Sequence, residues 1–76
     1  MKELLIFLAK SLVDNPDEVQ VTEKENENGI LFELRVAPSD MGKVIGKQGK
    51  NAQAIRSLMK AASSKENKKV SVDIVQ

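Results

Sequence analysis

The sequence predicts a single α+β domain whose elements follow the order α-β-β-α-α-β. Alternating apolar segments near residues 30–36 and 70–75 indicate strands, and an apolar stripe at helical spacing over residues 50–62 indicates a helix. A chain of 76 residues has room for one hydrophobic core, since domains of this size bury only roughly 60% of their unfolded surface. We therefore expect one domain over residues 1–76, with its core in residues 30–76.

A helix over residues 2–13 opens the predicted fold. Pro16 follows it, and proline cannot continue a helix. The apolar run is too short to span a membrane, and Lys10 interrupts it where a signal peptide would continue. We expect the mature N-terminal helix of a cytoplasmic protein that has no membrane partner. Four leucines recur at helical spacing along this segment: Leu4, Leu5, Leu8 and Leu12.

Two strands joined by a hairpin are predicted to follow. The first covers residues 19–25, and the dipeptide Asn28-Gly29 after it favours a tight turn. The second strand has the clearest pattern in the chain, because one of its faces is entirely apolar. Phe7 and Phe32, the two aromatic residues, are both predicted to face the core. The apolar face of the second strand consists of Ile30, Phe32, Leu34 and Val36.

Two helices separated by a glycine-containing loop are predicted next. Pro38 breaks the preceding strand, and Ser39 is predicted to cap a short second helix. The loop over residues 46–49 interrupts that helix, and a third helix is predicted over residues 50–62. The predicted buried positions are Met41, Val44 and Ile45 in the second helix, and Ile55, Leu58, Met59 and Ala62 in the third.

The last part of the chain is predicted to be a polar linker and a closing strand. Residues 63–68 are polar, and the segment after them alternates between apolar and less apolar positions. No long low-complexity segment occurs, so the whole chain is predicted to fold. The apolar positions of the closing strand are Val70, Val72 and Ile74.

Charge is distributed unevenly along the chain, although the net charge is only +1. Residues 1–41 carry nine acidic and four basic groups, whereas residues 42–76 carry eight basic and two acidic groups. A polyanion would be attracted to the second half and repelled by the first. The alternative is that the two unlike halves attract each other within the folded domain, and charge alone does not decide between these interpretations.

Composition and spacing exclude several classes of function. The chain has no cysteine and no histidine, so it lacks disulfides, thiolate metal ligands and the commonest general base. Its acidic residues show no spacing typical of paired catalysis or of a metal cage, and we expect no enzyme activity, no metal and no cofactor. Only three residues separate Gly42 from Gly46, where a mononucleotide P-loop needs four, and Val44 stands where a dinucleotide fingerprint needs glycine.

The loop over residues 46–49, Gly-Lys-Gln-Gly, is the strongest candidate for a binding site. Its glycines allow another molecule to approach the main chain closely, and the start of the third helix favours an anion. Lys43, Lys47 and Lys50 add positive charge around it. A helix–helix turn that needs glycine only for its geometry is the alternative. Because the loop joins two short helices in the basic half of the chain, we favour phosphate binding.

One segment of the chain resembles the signature of a K homology (KH) domain. It consists of residues 44–50, Val-Ile-Gly-Lys-Gln-Gly-Lys, followed by Ala52, Ile55 and Arg56. The element order resembles the bacterial, type II arrangement, and the whole chain is similar to the small stand-alone KhpA family of KH proteins. The resemblance implies a three-stranded mixed sheet with three helices packed on one face, and a groove that holds about four nucleotides beside the loop.

The resemblance also implies roles for individual residues. The four residues of the loop would clamp the sugar–phosphate backbone, and Arg56 would reach a phosphate or a base edge. Val44 and Ile45 would contribute to the core and the groove floor, where ordinary packing is favoured over direct base contact. The implied RNA-binding residues are Lys43, Val44, Ile45, Gly46, Lys47, Gln48, Gly49, Lys50 and Arg56.

Binding of single-stranded RNA is the function that the resemblance implies, with a role as an RNA chaperone or post-transcriptional regulator affecting cell growth, cell shape and cell division. The alternative is a protein-interaction or dimerisation module in which the loop is only a helix–helix turn. A site for a few nucleotides binds weakly, so a second domain held nearby would raise avidity. The resemblance accordingly implies a homodimer, or a heterodimer with a larger Jag-type KH protein.

Overall fold

Three strands form one mixed sheet in the order β1-β2-β3. The computed structural model describes residues 1–63 and 69–75, and in it β1 spans Gln20–Asn26, β2 spans Gly29–Arg35 and β3 spans Lys69–Val75. β1 runs antiparallel to β2, and β3 runs parallel to it on the other side. The parallel pair requires a crossover between β2 and β3, and two helices supply it.

Three helices complete the fold in the predicted order. α1 spans Lys2–Leu12, α2 spans Met41–Ile45 and α3 spans Lys50–Ser63. All three contribute buried side chains to one core against the sheet, and the prediction of an α+β fold with a three-stranded mixed sheet is confirmed. None of the helices in the described part of the chain is both long enough and apolar enough to cross a membrane. Short 3₁₀ turns occupy Pro16–Glu18, Pro38–Asp40 and Lys47–Gly49.

The hydrophobic core lies between the sheet and the helices. β2 contributes the most to it, because its alternate side chains all point toward the helices, as the alternation predicts. Phe32 and Leu34 are fully buried. Side chains of this kind each contribute about 1.5–3 kcal/mol when removed from water. The buried cluster consists of Leu5, Ala9, Ile30, Phe32, Leu34, Val36, Val44, Ile55, Met59 and Val72.

α1 buries a narrower face than its leucine spacing predicts. Leu5 and Ala9 are fully buried, whereas Leu4 is 38% exposed and the other two leucines of the predicted stripe are half-buried. Phe7 is 67% exposed, so the prediction that it faces the core is wrong. Each residue turns a helix by about 100°, which places Phe7 nearly opposite the side that Leu5 and Ala9 present to the sheet.

The buried stripe of α3 is rotated from the predicted one. Ile55 and Met59 are buried as predicted, but Leu58 is 50% exposed and Ala62 is exposed. The spacing of apolar residues defines a stripe without fixing which of its edges meets the sheet. The buried face instead continues through Ala52 and Ser63.

Ser63 belongs to α3 and not to the predicted linker. It is buried, and its hydroxyl donates a hydrogen bond to the carbonyl of Lys60 at 2.8 Å. The bond lies within the last turn of the helix, where a short polar side chain supplements the backbone pattern. The rest of the predicted linker, residues 64–68, lies outside the described residues.

The hairpin turn lies one residue earlier than predicted. Asn26 pairs with Gly29, so the two turn residues are Glu27 and Asn28. The side-chain oxygen of Asn26 accepts hydrogen bonds from the amides of Asn28 (2.8 Å) and Gly29 (3.1 Å), which closes the turn. Gly29 is already part of β2, where a Cβ atom would overlap the carbonyl oxygen of Lys69 in β3.

Ser39 does not cap α2. It lies within a 3₁₀ turn, and no side-chain hydrogen bond caps the start of the helix. Asp40 stands at the capping position, but its buried carboxylate points toward the segment after α1. Of the predicted buried face, Val44 is fully buried, Met41 is half-buried and Ile45 is exposed. A helix of five residues is too short to bury a full stripe.

Candidate functional site

The loop between α2 and α3 adopts backbone angles that most residues avoid. Gly46 ends α2 with φ 78° and ψ 172°, and its amide donates to the carbonyl of Gly42 at 2.8 Å. Gln48 has φ 58° and Gly49 has φ 76°, both in the left-handed region. Three of the four loop residues therefore have positive φ, which turns the chain sharply from one helix into the next.

The two glycines of the loop are needed for different reasons. A Cβ at Gly46 would come within 2.6–2.8 Å of the side chain and backbone of Asn51, so the position has no room for a side chain. A Cβ at Gly49 would meet nothing within 4 Å, and only its positive φ favours glycine there. The open space above Gly49 leaves its main chain accessible to a ligand.

The start of α3 presents its main chain and two lysines to solvent. The amide of Gly49 donates to the carbonyl of Gly46 at 3.1 Å, and that of Lys50 donates to Lys47. The amides of Lys47 and Gln48 lie in the same turn, which leads into the exposed start of α3. Helix starts of this kind favour anions, because their N–H groups and dipole carry partial positive charge. The exposed residues here are Lys47, Gln48 and Lys50.

Lys43 is not a free cation in this structure. Its ammonium group donates a hydrogen bond to the carboxylate of Asp14, which follows α1. This hydrogen bond raises the pKa of Lys43 above its ordinary value. Partial desolvation opposes the shift, and the charges of Asp14 and Asp40 add to it. The predicted site residue Lys43 thus lies beside the loop with its charge already paired.

Asp40 connects α2 to the segment after α1. One carboxylate oxygen accepts from the amide of Asp14 at 3.2 Å, and the other accepts from the amide and the side chain of Asn15, both at 3.0 Å. Burial raises the pKa of Asp40, but the hydrogen bonds from Asn15 and Asp14, with the charge of Lys43, outweigh it and leave the pKa below its ordinary value. Asp40 therefore holds α2, and with it the loop, against the end of α1.

The two apolar residues before the loop have different environments. Val44 is fully buried in the core, in agreement with the packing role favoured for it. Ile45 is 38% exposed, directly beside Gly46. The structure thus provides one apolar side chain, Ile45, at the surface next to the loop.

Arg56 lies farther along α3, away from the loop itself. Its Nε donates a hydrogen bond to the backbone carbonyl of Val72 in β3 at 3.2 Å. Arg56 and Lys60 line a surface cavity of about 400 Å³ together with Val70 and Asp73 of the strand. Eight of the nine predicted site residues therefore lie in or beside the loop, over residues 43–50, and the ninth, Arg56, lies apart from them beside β3.

Three polar residues near the loop, Asp14, Asp40 and Asn51, are not among the predicted site residues. Asn51 donates from its side-chain amide to the carbonyl of Lys43 at 2.8 Å. A short polar residue two positions after the glycine loop is the signal that could have identified it.

A mixed sheet of this topology, with a glycine-flanked loop between two helices on one face, defines a KH-type domain. A family model described as KhpA/KhpB, KH domain, matches residues 2–74 of the chain. The chain therefore belongs to the KhpA/KhpB family of KH domains.

Relatives in several bacteria match over nearly their full length. A protein named RNA-binding protein KhpA from Clostridium acetobutylicum is 64% identical over 75 residues, which cover 99% of this chain and 100% of that protein. Proteins of the same name are 46% identical in Chlamydia trachomatis, over 100% of this chain and 97% of theirs, and 43% identical in Listeria monocytogenes, over 100% of both.

Proposed function

We propose that this protein binds single-stranded RNA through the loop over residues 46–49 and acts without catalysis, as an RNA chaperone or post-transcriptional regulator in the cytoplasm. The observation that carries the proposal is the loop conformation at the start of α3, where positive φ angles expose the main chain beside Lys47 and Lys50. The names of the relatives, which are RNA-binding proteins, support the same ligand.

The proposed contact is between the loop backbone and the sugar–phosphate chain. The amides of Lys47 and Gln48 are suited to a phosphate oxygen, and the lysine side chains supply mobile positive charge. The loop itself carries no aromatic ring and no carboxylate, so base stacking and repulsion of phosphate are both absent from it. Ile45 and Arg56, on either side, are the groups proposed to contact bases.

The test is RNA binding by a loop variant that keeps the fold. Lys47→Asp combined with Gln48→Asp changes exposed side chains only, so circular dichroism should stay unchanged while affinity for a short single-stranded RNA is lost. Lys2→Asp with Gln20→Asp is the matched control, because it changes the net charge equally at exposed positions on other elements. A folded loop variant that binds as tightly as the control variant contradicts the proposal.

Salt dependence tests the phosphate contact independently. If two to four phosphates are neutralised, log K should fall by about 1.4 to 2.8 per decade of salt, at roughly 0.7 per contact for single strands. A flat response would place the binding energy in base contacts and not in the loop.

We further propose that the protein self-associates through an apolar surface formed by α1 and α3, which we call the α1/α3 surface. Leu4, Phe7 and Leu58 are its exposed members, and between the helices lies a groove of about 200 Å³ with an almost wholly apolar lining. Exposed apolar side chains of this size on two helices in contact favour a partner. The residues that line the groove are Leu8, Ser11, Leu12, Asn51, Ala54, Ile55 and Leu58.

A second copy of this chain is the proposed occupant of the α1/α3 surface. A domain that holds few nucleotides gains avidity when a second one is tethered to it, and a two-fold interface needs only one self-complementary face. A larger Jag-type KH protein, the heterodimer partner that the family resemblance implies, is the alternative occupant. Light scattering with and without RNA separates self-association from bridging by RNA.

Two substitutions on α3 make this second proposal specific. Leu58→Asp should shift the dimer toward monomer without unfolding it, whereas Ser57→Asp, an exposed neighbour on the same helix, should not. A wild-type protein that is monomeric at high concentration, with and without RNA, rules out self-association and leaves the heterodimer to be tested.

A further inference from the structure

The side chain of Asn51 connects the two helices that flank the loop. It is the second residue of α3, and its amide nitrogen donates to the backbone carbonyl of Lys43 in α2 at 2.8 Å. The last carbonyls of a helix have no partner within the helix, and Lys43 lies in the last turn of α2. Asn51 therefore satisfies one of these carbonyls from the far side of the loop.

Asn51 also occupies the space beside Gly46. The closest atoms to a Cβ built at Gly46 are Cγ and Cβ of Asn51, at 2.6 and 2.8 Å, and its backbone nitrogen, at 2.8 Å. The loop backbone thus packs directly on the Asn51 side chain. One residue both bonds the end of α2 and limits the positions that the loop can take.

The loop needs such support because its own backbone is strained. Gln48 holds φ 58° and ψ 25°, a left-handed conformation that is unfavourable for a residue with a side chain. Across the turn itself, the amide of Gly49 donates to the carbonyl of Gly46 and the amide of Lys50 donates to that of Lys47. A contact from outside the turn is required to keep so short and strained a segment in one conformation.

We infer that Asn51 is a positioning residue, which holds the loop over residues 46–49 in its phosphate-binding conformation without contacting RNA. The inference rests on the proposed function for its consequence, since ordering the loop in advance removes an entropic cost that binding would otherwise meet. The way in which Asn51 holds the loop does not depend on RNA, because it consists of the hydrogen bond to Lys43 and the packing against Gly46.

The first test measures loop order in the absence of RNA. In Asn51→Ala, NMR order parameters of the loop amides should fall from about 0.85 toward about 0.6, the change from rigid to flexible backbone. Asn51→Asp keeps the shape of the side chain but removes its donor, so the same loss of order is expected. Unchanged loop order in the alanine variant overturns the inference, and retained order in the aspartate variant overturns the role of the hydrogen bond.

The second test measures RNA binding over a range of salt concentrations. Asn51→Ala should weaken binding about two- to tenfold, the equivalent of one net hydrogen bond, with the salt slope unchanged because no phosphate contact is lost. Gln53→Ala, an exposed position on the same helix, is the matched control and should bind as the wild type does. A variant that loses affinity while its loop order in the free protein stays unchanged would instead make Asn51 a direct RNA contact and overturn the inference.

Failure of the proposed function gives a different result from failure of this inference. If the Lys47→Asp, Gln48→Asp variant binds RNA as well as the wild type does, the loop is not the RNA site, yet the order parameters of the free protein still decide whether Asn51 fixes the loop. If that variant loses binding while Asn51→Ala changes neither affinity nor loop order, the RNA site stands and the positioning role is wrong.

Discussion

The ammonium group of Lys43 pairs with the carboxylate of Asp14, which joins the helix before the loop to the segment after α1. Both side chains are largely exposed, and exposed ion pairs contribute little to stability. Their consequence for binding is larger, because the pair places a negative charge next to a lysine that would otherwise be free for phosphate. Asp14 therefore limits the contribution of Lys43 to the proposed RNA site.

Asp14→Asn is expected to tighten RNA binding. Removal of the carboxylate frees Lys43 for phosphate, so affinity should rise by at most about fivefold and the salt slope should steepen by about 0.7 per decade. The measurement is a salt titration of RNA binding beside Asp17→Asn, which removes the same charge from an exposed position three residues away.

A second substitution tells whether the gain comes through Lys43. Lys43→Met should weaken binding only slightly in the wild type and clearly in the Asp14→Asn protein, since the lysine is paired in one background and free in the other. An equal loss in both backgrounds would show that the ion pair has no influence on binding.

The two glycines of the loop should respond differently to alanine. The methyl group of Gly49→Ala would lie in open space, so the unfavourable φ is its only cost. The free energy of unfolding should fall by about 1–2 kcal/mol. Gly46→Ala has the same kind of backbone penalty, and its new methyl group would also overlap the side chain and backbone of Asn51. The free energy of unfolding should therefore fall further in this variant than in Gly49→Ala. Urea denaturation of the three proteins measures the difference. Equal losses would mean that Asn51 moves aside at no cost.

The sequence predicts the sheet and the loop well, because both are encoded locally. Alternation along β2 identifies a buried face, and the glycines mark a turn that other residues cannot make. The missed contacts all depend on the tertiary fold. Asp14 lies 29 positions from Lys43, and Asp40 lies 26 from the amide of Asp14 that it accepts from. No spacing rule connects positions so far apart in the chain.

Helical spacing also leaves the rotation of a helix undetermined. Phe7 is predicted to face the core and Leu58 to lie in the buried stripe of the third helix, yet both are exposed. The proposed self-association would cover both residues, since it places a second copy on the α1/α3 surface. Ile45 and Ala62, which are also predicted to be buried and are exposed, are not among the residues that define this surface.

The two phenylalanines should differ strongly in their effect on stability. Phe32→Ala removes a fully buried ring and should lower the free energy of unfolding by about 3–5 kcal/mol, whereas Phe7→Ala should change it by less than about 0.5 kcal/mol in the monomer. Thermal melts at low and high protein concentration are the measurement. If the α1/α3 surface binds a second copy, Phe7→Ala should reduce the rise of melting temperature with concentration. If Phe7→Ala strongly lowers the free energy of unfolding at low protein concentration, the ring of Phe7 belongs to the core of the monomer and the prediction is wrong.

The hydrogen-bonded carboxylate of Asp40 should make stability depend on acidic pH. Its pKa in the folded state lies below the ordinary value of 3.8, so the unfolded chain takes up the proton first as pH falls. The stabilisation is therefore complete above that value and is lost as pH falls through the lower pKa of the folded state.

Asp40→Asn keeps the shape of the side chain but presents one acceptor oxygen and an amide in place of two acceptors. Near neutral pH it should therefore melt at a lower temperature than the wild type. The difference in melting temperature should shrink as pH falls below 3.8, because the wild-type carboxyl then becomes protonated as well. A difference that stays constant over this range would mean that Asp40 acts through packing and not through its charge.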